Sequence, residues 1–300
     1  MTTAGGINAL AAPMRWPLLR LLRPAQWVKN AFVLAPLVFA AKFHEPQAVA
    51  RSLSVTLLFC LAASAIYIFN DWWDAEADRQ HPRKKSARPL AAGAIGPGFA
   101  WGALVLLELP VLAAPLAAPS VGLAILAYQA LNVLYTLKLK HVPVIDLFCI
   151  GGGFLLRIYV GALAIAVPLT LWMLNTTLCL ALYLAVIKRR QELNSSGQAG
   201  RAVLGMYSVQ LLDHYAVISA VGALAFYSLF TLTVRRPLAI TIPLVLLGFF
   251  RYHYIAMQEG AGESPTDAVL RDLPLALILL AWAALSVYAL WGLPAPILPK

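Results

Sequence analysis

Acidic residues are scarce in this sequence, since only 13 of its 300 residues are Asp or Glu. Charged residues of both signs make up 12% of the chain, whereas hydrophobic residues make up 61% and the mean hydropathy is +0.77. An ordinary soluble domain carries about twice that share of charged residues. The composition therefore excludes a soluble globular protein and predicts a polytopic membrane protein.

Cysteine and histidine are also scarce, with three and five residues. Cys60, Cys149 and Cys179 lie singly within apolar runs, without C-x-x-C spacing, and we interpret them as packing residues. The five histidines likewise form no pair with the spacing of metal ligands. The sequence therefore argues against a zinc, haem or disulfide-based function.

Long apolar runs are abundant instead. Nine windows are long enough to cross the ~30 Å hydrocarbon layer of a membrane. They lie near residues 25–42, 50–69, 97–117, 120–137, 144–166, 170–187, 209–233, 238–257 and 273–292. The sequence thus predicts an all-α membrane bundle of about nine helices, with a flexible tail over residues 1–20 and a single membrane-embedded domain over residues 21–300.

The basic residues predict how this bundle is oriented. With the N-terminus inside, most Lys and Arg residues fall in cytoplasmic loops, notably at 79–88, 138–140 and 188–201. The net charge of +10 is therefore distributed over loops beside the membrane rather than along one helix face. Anionic lipids and anionic substrates are the expected partners, and nucleic acid is not.

Four of the 13 acidic residues fall within eight positions, from Asp71 to Asp78. On a continuous helix, at about 100° per residue, Asp71, Asp74 and Asp78 lie within about 60° of one another beside Asn70, and Glu76 faces the opposite side. Carboxylates on one stripe repel each other and require a cation; with the amide oxygen they form the hard, all-oxygen ligand set that Mg²⁺ prefers. We predict a Mg²⁺ site here; the alternative is an acidic cap that the following basic residues screen.

The same stretch resembles a known family. The pattern N-D-x-x-D-x-x-x-D, followed by H-P, basic residues and R-P-L-A-A-G, is similar to the first aspartate-rich motif of the UbiA-type membrane prenyltransferase superfamily. The H-P-x-K variant is most similar to its polyprenyl-phosphate phosphoribosyltransferase branch, which includes decaprenyl-phosphate enzymes of arabinan-making bacteria. The patterns R-P-x-Q-W-x-K-N at Arg23–Asn30 and K-R-R-x-E-L at Lys188–Leu193 resemble the same branch.

The resemblance implies transfer of 5-phosphoribose from phosphoribosyl pyrophosphate to a polyprenyl (decaprenyl) phosphate, with release of diphosphate, for lipid-linked arabinose and cell-wall arabinan synthesis. It implies Mg²⁺ as cofactor, a bacterial inner (plasma) membrane location and an active site facing the cytoplasm. The candidate catalytic residues are Asp71, Asp74, Asp78 and Asp146. The candidate substrate-binding residues are Lys29, Asn30, Tyr67, Asn70, His81, Lys84, Lys85, Arg88, Tyr135, Lys138, Lys140, Arg157, Lys188 and Arg189. Whether Lys84 or Lys85 corresponds to the family's lysine stays open, and a homo-oligomer is compatible with the sequence.

The second informative stretch runs from Tyr135 to Arg157. Many aromatic prenyltransferases of the superfamily carry D-x-x-x-D here, but in this chain Asp146 is followed four residues later by Ile150. We expect this single acid to stabilise positive charge on the ribose or to bind a ribose hydroxyl. Arg157 lies on the same helix face, about 16 Å along. An arginine so deep in a span needs an anion, either Glu108 or a lipid phosphate.

Two other functions are compatible with these patterns. The first is transfer of a prenyl group from a prenyl diphosphate to an aromatic quinone precursor, which normally uses a second aspartate pair. The second is a transporter or lipid carrier, which would give flux without a covalent product; its usual signs are broken helices in matching halves or buried chains of ion pairs, and the sequence shows neither. Supplying each donor in turn distinguishes the two enzymes.

Overall fold

The computed structural model describes residues 16–80, 84–196, 202–258 and 272–291, and within these ranges it contains helices and no strands. The α-helices are α1 (Pro17–Leu22), α2 (Ala35–Phe39), α3 (Pro46–Trp73), α4 (Ala75–Gln80), α5 (Lys84–Ala87), α6 (Pro97–Ala117), α7 (Pro119–Leu137), α8 (Ile145–Ala164), α9 (Leu171–Ser196), α10 (Val209–Val234), α11 (Ile242–Gln258) and α12 (Leu273–Leu290). The 3₁₀ helices are Pro24–Leu34, Leu139–His141, Ala202–Met206 and Arg236–Thr241.

Eight helical segments in the described part of the chain are long and apolar enough to cross a membrane, namely α3, α6 to α10, α11 with the 3₁₀ helix before it, and α12. Their outer surfaces are strongly apolar; on α6, for example, Leu106, Leu109, Leu112 and Leu116 are all more than half exposed. Such surfaces suit lipid rather than water. The predicted multi-pass helical membrane protein is confirmed.

The first expected span, near residues 25–42, takes a different form. It consists of the 3₁₀ helix Pro24–Leu34 followed by the five residues of α2. Pro36 has no backbone N–H to donate to the carbonyl of Phe32, four residues earlier. That carbonyl instead accepts the N–H of Ala35, the tighter bond of a 3₁₀ helix. The segment is therefore not one continuous α-helix.

This irregular segment packs closely against α8. A Cβ atom added at Gly161 would lie 2.0 Å from the carbonyl oxygen of Val33, a distance that no side chain tolerates. Glycine at this position therefore permits the contact. Val33 is completely buried in an apolar cluster with Phe59 of α3, Ile125 of α7 and Val160 of α8. Asn30, three residues before Val33, contacts the interior face of α8, where its Oδ1 accepts from Arg157 Nε at 2.9 Å.

Candidate active site

The acidic residues lie where α3 meets α4. Asp74 ends α3 with φ −89° and ψ 3°, but its N–H still donates to the Asn70 carbonyl (2.9 Å). The N–H of Asp78 donates in turn to the Asp74 carbonyl (2.8 Å), so the helical repeat continues across the junction. Asp71 and Asp78 are 1% and 3% exposed, whereas the Glu76 side chain is 76% exposed. The helix faces are those that the sequence predicts.

Each inward carboxylate meets a cationic side chain. Asp71 forms an ion pair with Arg23, and Arg88 lies between Asp71 (3.2 Å from Nη1 to Oδ1) and Asp78, with which it also forms an ion pair. Lys140 donates to Asp74 across 2.6 Å. Arg23, Arg88 and Lys140 come from three different parts of the chain, so the tertiary fold assembles a compact network of opposite charges.

Two carboxylates of this network, those of Asp71 and Asp78, offer oxygen ligands that suit a hard divalent cation. Arg88 Nη1 contacts both Asp71 and Asp78, and Asp71 Oδ2 is buried without a hydrogen-bond partner. Among the described residues, no three His, Cys, Asp or Glu side chains gather in a metal-binding group. Asp74 pairs instead with Lys140, and Asn70 Oδ1 accepts a hydrogen bond from Thr136. Protein sites for Mg²⁺ commonly use one or two carboxylates and complete the shell with water and substrate oxygens.

A second acidic centre lies at the start of α8. Asp146 is fully buried; its Oδ2 accepts from Arg189 Nε at 2.9 Å and its Oδ1 from the Tyr207 hydroxyl at 2.7 Å. The hydroxyl of Tyr207 also accepts the N–H of Val144 at 2.6 Å, in a backbone with φ +68°. Burial raises the pKa of the Tyr207 phenol, so it stays protonated and donates at neutral pH. Both oxygens of this carboxylate are therefore engaged.

Arg189 connects this centre to two further side chains. Its Nη2 donates to the Tyr135 hydroxyl at 3.0 Å, and its Nη1 donates to Glu192 at 2.6 Å. Lys188, one residue earlier, lies 3.8 Å from the same Glu192. Within the K-R-R-x-E-L pattern, Arg189 is therefore buried in the bundle, whereas the Lys188 side chain is 43% exposed.

Arg157 lies deeper in α8 and is 5% exposed. The ion pair with Glu108 that the sequence left open is not formed, because Glu108 accepts a hydrogen bond from Gln129 at 2.7 Å. Arg157 instead donates to Asn30 Oδ1 at 2.9 Å and to the Tyr128 hydroxyl at 3.1 Å. The sequence-predicted pocket residues of the first segment and of α8 are therefore in direct contact.

The remaining candidates are distributed around this interior. The ring of Tyr67 lies below the guanidinium of Arg23, with 5.2 Å from Cζ to the ring centre. Lys85 and Lys138 are exposed. His81 and the Lys84 side chain lie outside the described part of the chain.

Sequence reasoning missed several residues that complete the site. Arg23 begins the R-P-x-Q-W-x-K-N pattern, and this position could have identified it as a partner for the carboxylates. Tyr128 precedes Tyr135 by seven residues on α7, which places the two on one helix face. Tyr207 carried no signal, because 61 residues separate it from Asp146.

The comparison with known families decides the classification. The model of the UbiA prenyltransferase family matches residues 31–271, which is more than half of the chain. The chain belongs to the UbiA prenyltransferase family. Its resemblance at the acidic motif and its predicted fold class are both confirmed.

Related proteins and solved structures agree with this assignment. The decaprenyl-phosphate phosphoribosyltransferase of Corynebacterium glutamicum is 34% identical over 92% of this UbiA-family chain and 87% of its own. The protein of the same name from Mycobacterium tuberculosis is 31% identical over 88% of this chain and 90% of its own. The structure of a UbiA homolog from Archaeoglobus fulgidus bound to GPP and Mg²⁺ superposes with a TM-score of 0.67, covering 91% of this chain and 98% of the other at 19% identity.

Proposed function

We propose that this UbiA-family protein transfers the 5-phosphoribosyl group from phosphoribosyl pyrophosphate to a polyprenyl phosphate and releases diphosphate. The observation that carries the proposal is the similarity, across about nine-tenths of both chains, to the two decaprenyl-phosphate phosphoribosyltransferases. The geometry supports it, because one acidic centre is open to a cation while the other is closed by Arg189 and Tyr207.

The proposed reaction requires no strong general base. An oxygen of the acceptor phosphate forms a new bond to C1 of the ribose, and the bond between C1 and the diphosphate oxygen breaks. The bonding electrons leave with the diphosphate. Because a phosphomonoester is an anion at neutral pH, its attacking oxygen needs no deprotonation. The site therefore has to bind anions, orient them and stabilise the leaving group.

Asp71 and Asp78 would hold Mg²⁺, which supplies charge neutralisation for the departing diphosphate when it is bound. The cations that meet these carboxylates, Arg23, Arg88 and Lys140, also carry the donors that bind diphosphate oxygens. Asp146 holds Arg189 in place through a buried hydrogen bond. We therefore assign Asp146 a positioning role, which differs from the direct contact with ribose expected from the sequence.

We further propose that the site faces the cytoplasm at a bacterial plasma membrane, and the basic loops support this orientation through the positive-inside rule. Phosphoribosyl pyrophosphate and Mg²⁺ are available there. The product would be a lipid-linked phosphoribose, a precursor suited to building arabinan at the cell surface.

A transfer assay tests the proposal. Purified protein in lipid nanodiscs is incubated with Mg²⁺, ribose-labelled phosphoribosyl pyrophosphate and decaprenyl phosphate, and we expect label in the organic phase. Chelation of Mg²⁺ should remove the product, and renewed Mg²⁺ should restore it. A wild-type protein that yields no labelled lipid with decaprenyl phosphate or shorter polyprenyl phosphates would refute the proposal.

The same assay addresses transfer of a prenyl group to an aromatic acceptor. Geranyl diphosphate and an aromatic quinone precursor replace the two substrates, and we expect no prenylated product. The engaged state of Asp146 is the reason, since a second metal-binding acid would need free oxygens. Movement of label across sealed vesicles without any covalent product would instead favour a carrier.

A further inference from the structure

The backbone takes an unusual conformation just before α8. Val144 has φ +68° and ψ −47°, and the N–H of Ile145 donates to the carbonyl of Pro143 at 2.8 Å. A hydrogen bond between residues two apart around such a centre forms the γ-turn of positive φ, which is rare and strained. A branched residue makes the strain larger, because its Cβ crowds the backbone at positive φ. Such a conformation persists only where the surrounding structure holds it.

The contact that holds this turn is made by the backbone of Val144 and not by its side chain. The side chains of Val142, Val144 and Ile145 are 43%, 37% and 44% exposed, so packing contributes little. The N–H of Val144, in contrast, donates to the Tyr207 hydroxyl at 2.6 Å. An ordinary negative φ would rotate the chain before Val144 relative to α8. The N–H could then not stay on Tyr207 while Ile145 stays in its helix.

Tyr207 is suited to hold the turn, because its own position is fixed. It is 6% exposed, follows the 3₁₀ helix Ala202–Met206 and belongs to an apolar cluster with Leu147 of α8. Its hydroxyl donates its proton to Asp146 and accepts the N–H of Val144. The connection between α9 and α10 therefore contacts both the turn and the first residues of α8 through one oxygen atom.

The turn also determines where Lys140 lies. Residues 138–144 form the loop between α7 and α8, and within it Lys140 Nζ donates to Asp74 Oδ1 at 2.6 Å. The loop is thus held at one end by Lys140 and Asp74 and at the other by Val144 and Tyr207. A change of φ at Val144 would move the loop relative to α8 and would carry Lys140 away from Asp74.

We propose that Tyr207 is a positioning residue for Lys140. It keeps the strained turn at Val144, and the turn places Lys140 beside Asp74. The loop thereby links the two acidic centres, since Tyr207 also serves Asp146. This link rests on the contacts of the chain alone. Its effect on turnover rests on the proposed function, in which Lys140 carries a donor for diphosphate oxygens.

Acylation of lysine amines measures the position of Lys140 without any turnover. Protein in nanodiscs, without Mg²⁺ or substrate, is treated with a limiting amount of an acetylating ester. Mass spectrometry then gives the rate at Lys140 relative to the exposed Lys138. The Lys140 side chain is 13% exposed and lies against a carboxylate, so it should react slowly in the wild type. We expect Tyr207→Phe to raise the ratio about threefold or more, and an unchanged ratio would refute the proposal.

Relief of the strain distinguishes this role from a simple loss of stability. Glycine adopts positive φ without a steric cost, so Val144→Gly should keep the turn even when the Tyr207 hydroxyl is absent. We expect the double variant Tyr207→Phe/Val144→Gly to return the acylation ratio close to that of the wild type. The hydrogen bond to Asp146 is not restored in this variant, so a role of Tyr207 through Asp146 alone predicts no recovery. A ratio that stays raised would contradict the proposal.

Ala166→Gly is the matched control for the glycine substitution. Ala166 also has a positive φ, +51°, is exposed and lies just beyond the opposite end of α8. Added to Tyr207→Phe, this change relieves strain far from Lys140, so the acylation ratio should stay raised. Equal recovery with Ala166→Gly would show a general gain in stability, and the positioning role would be refuted.

Thermal unfolding of Val144→Gly alone decides the question even if Tyr207→Phe folds poorly. Its midpoint should equal or exceed that of the wild type, because a strained, partly exposed valine is replaced by the residue that this conformation favours. A clearly lower midpoint would mean that the turn is not strained and would overturn the proposal. In the transfer assay, kcat of the double variant should exceed that of Tyr207→Phe. A wild type without transfer activity would refute the proposed function but would leave the acylation result intact.

Discussion

The two acidic centres differ in how the oxygens of their carboxylates are hydrogen-bonded. At the junction of α3 and α4, Asp71 leaves one buried oxygen without a hydrogen-bond partner. At the start of α8, both oxygens of Asp146 are engaged by Arg189 and Tyr207, which are themselves held by further contacts. A carboxylate with a free buried oxygen is suited to receive a cation, whereas a fully engaged one is suited to position its partners. This difference predicts that the first centre acts directly in the reaction, whereas the second stabilises the structure around the site.

The largest expected effect is at Asp71. Asp71→Asn keeps the shape of the side chain but removes the charge that would hold a metal ion, and loss of several kcal/mol of charge stabilisation corresponds to about 10³-fold or more in kcat/KM. The thermal midpoint should fall less than in Asp146→Asn, because Arg23 is partly exposed and Arg88 keeps Asp78 as its partner. Activity is measured by the transfer assay and stability by thermal unfolding of the same preparation. Near-normal activity would contradict the proposed metal site.

Asp146→Asn should show the reverse balance. Removing the buried member of this ion pair leaves Arg189 with the partly exposed Glu192 as its remaining acid and costs about 3 kcal/mol of stability. We expect kcat to fall by about 10–100-fold, as for other partners that orient a functional group. An unchanged unfolding midpoint together with complete loss of activity would show that both centres act in the same way.

Tyr207→Phe sharpens this contrast, because it frees one oxygen of Asp146 and preserves the ion pair with Arg189. Loss of a hydrogen bond to a charged group should cost about 1.5–3 kcal/mol, and kcat should fall less than in Asp146→Asn. The raised pKa of the phenol means that its contribution to stability is fully present below the ordinary tyrosine pKa of about 10 and is lost as pH rises beyond it. Unfolding of wild type and variant between pH 7 and 11 checks the sign.

The smallest effect is expected at Glu76. Its side chain is 76% exposed and pairs with Arg79 at 2.7 Å, an arrangement worth less than about 1 kcal/mol. Glu76→Ala should retain activity within twofold and serves as the control for Asp71→Asn. A loss equal to that in Asp71→Asn would mean that the helix faces are assigned incorrectly.

Local patterns in the sequence predicted much of this molecule. Apolar runs predicted eight of the spans. A helix in lipid forms all its backbone hydrogen bonds internally and carries apolar side chains along its whole length, so a long apolar run identifies it. The acidic stripe followed from the helical repeat, which persists through Asp74. Pro36 could have predicted that the first span is not a continuous α-helix, but the prediction of spans used only the length of apolar runs.

Other features required the tertiary structure. Arg157 and Asn30 are 127 residues apart, and Asp146 and Tyr207 are 61 residues apart, so no local pattern relates them. Thr136 of α7 and Lys140 of the 3₁₀ helix Leu139–His141 engage Asn70 and Asp74 in the same way, and the four-residue metal site expected from the stripe stays a prediction.

The sequence by itself determined that this chain is a helical membrane protein with one acidic stripe, since span length and helical period are properties of contiguous residues, and its motifs carried the resemblance to the UbiA family. Only the tertiary structure decided which carboxylate oxygens stay available and which cations lack an acid. The physical reason is that these properties depend on the charges that distant segments bring within a few ångströms, where burial makes each pairing strong.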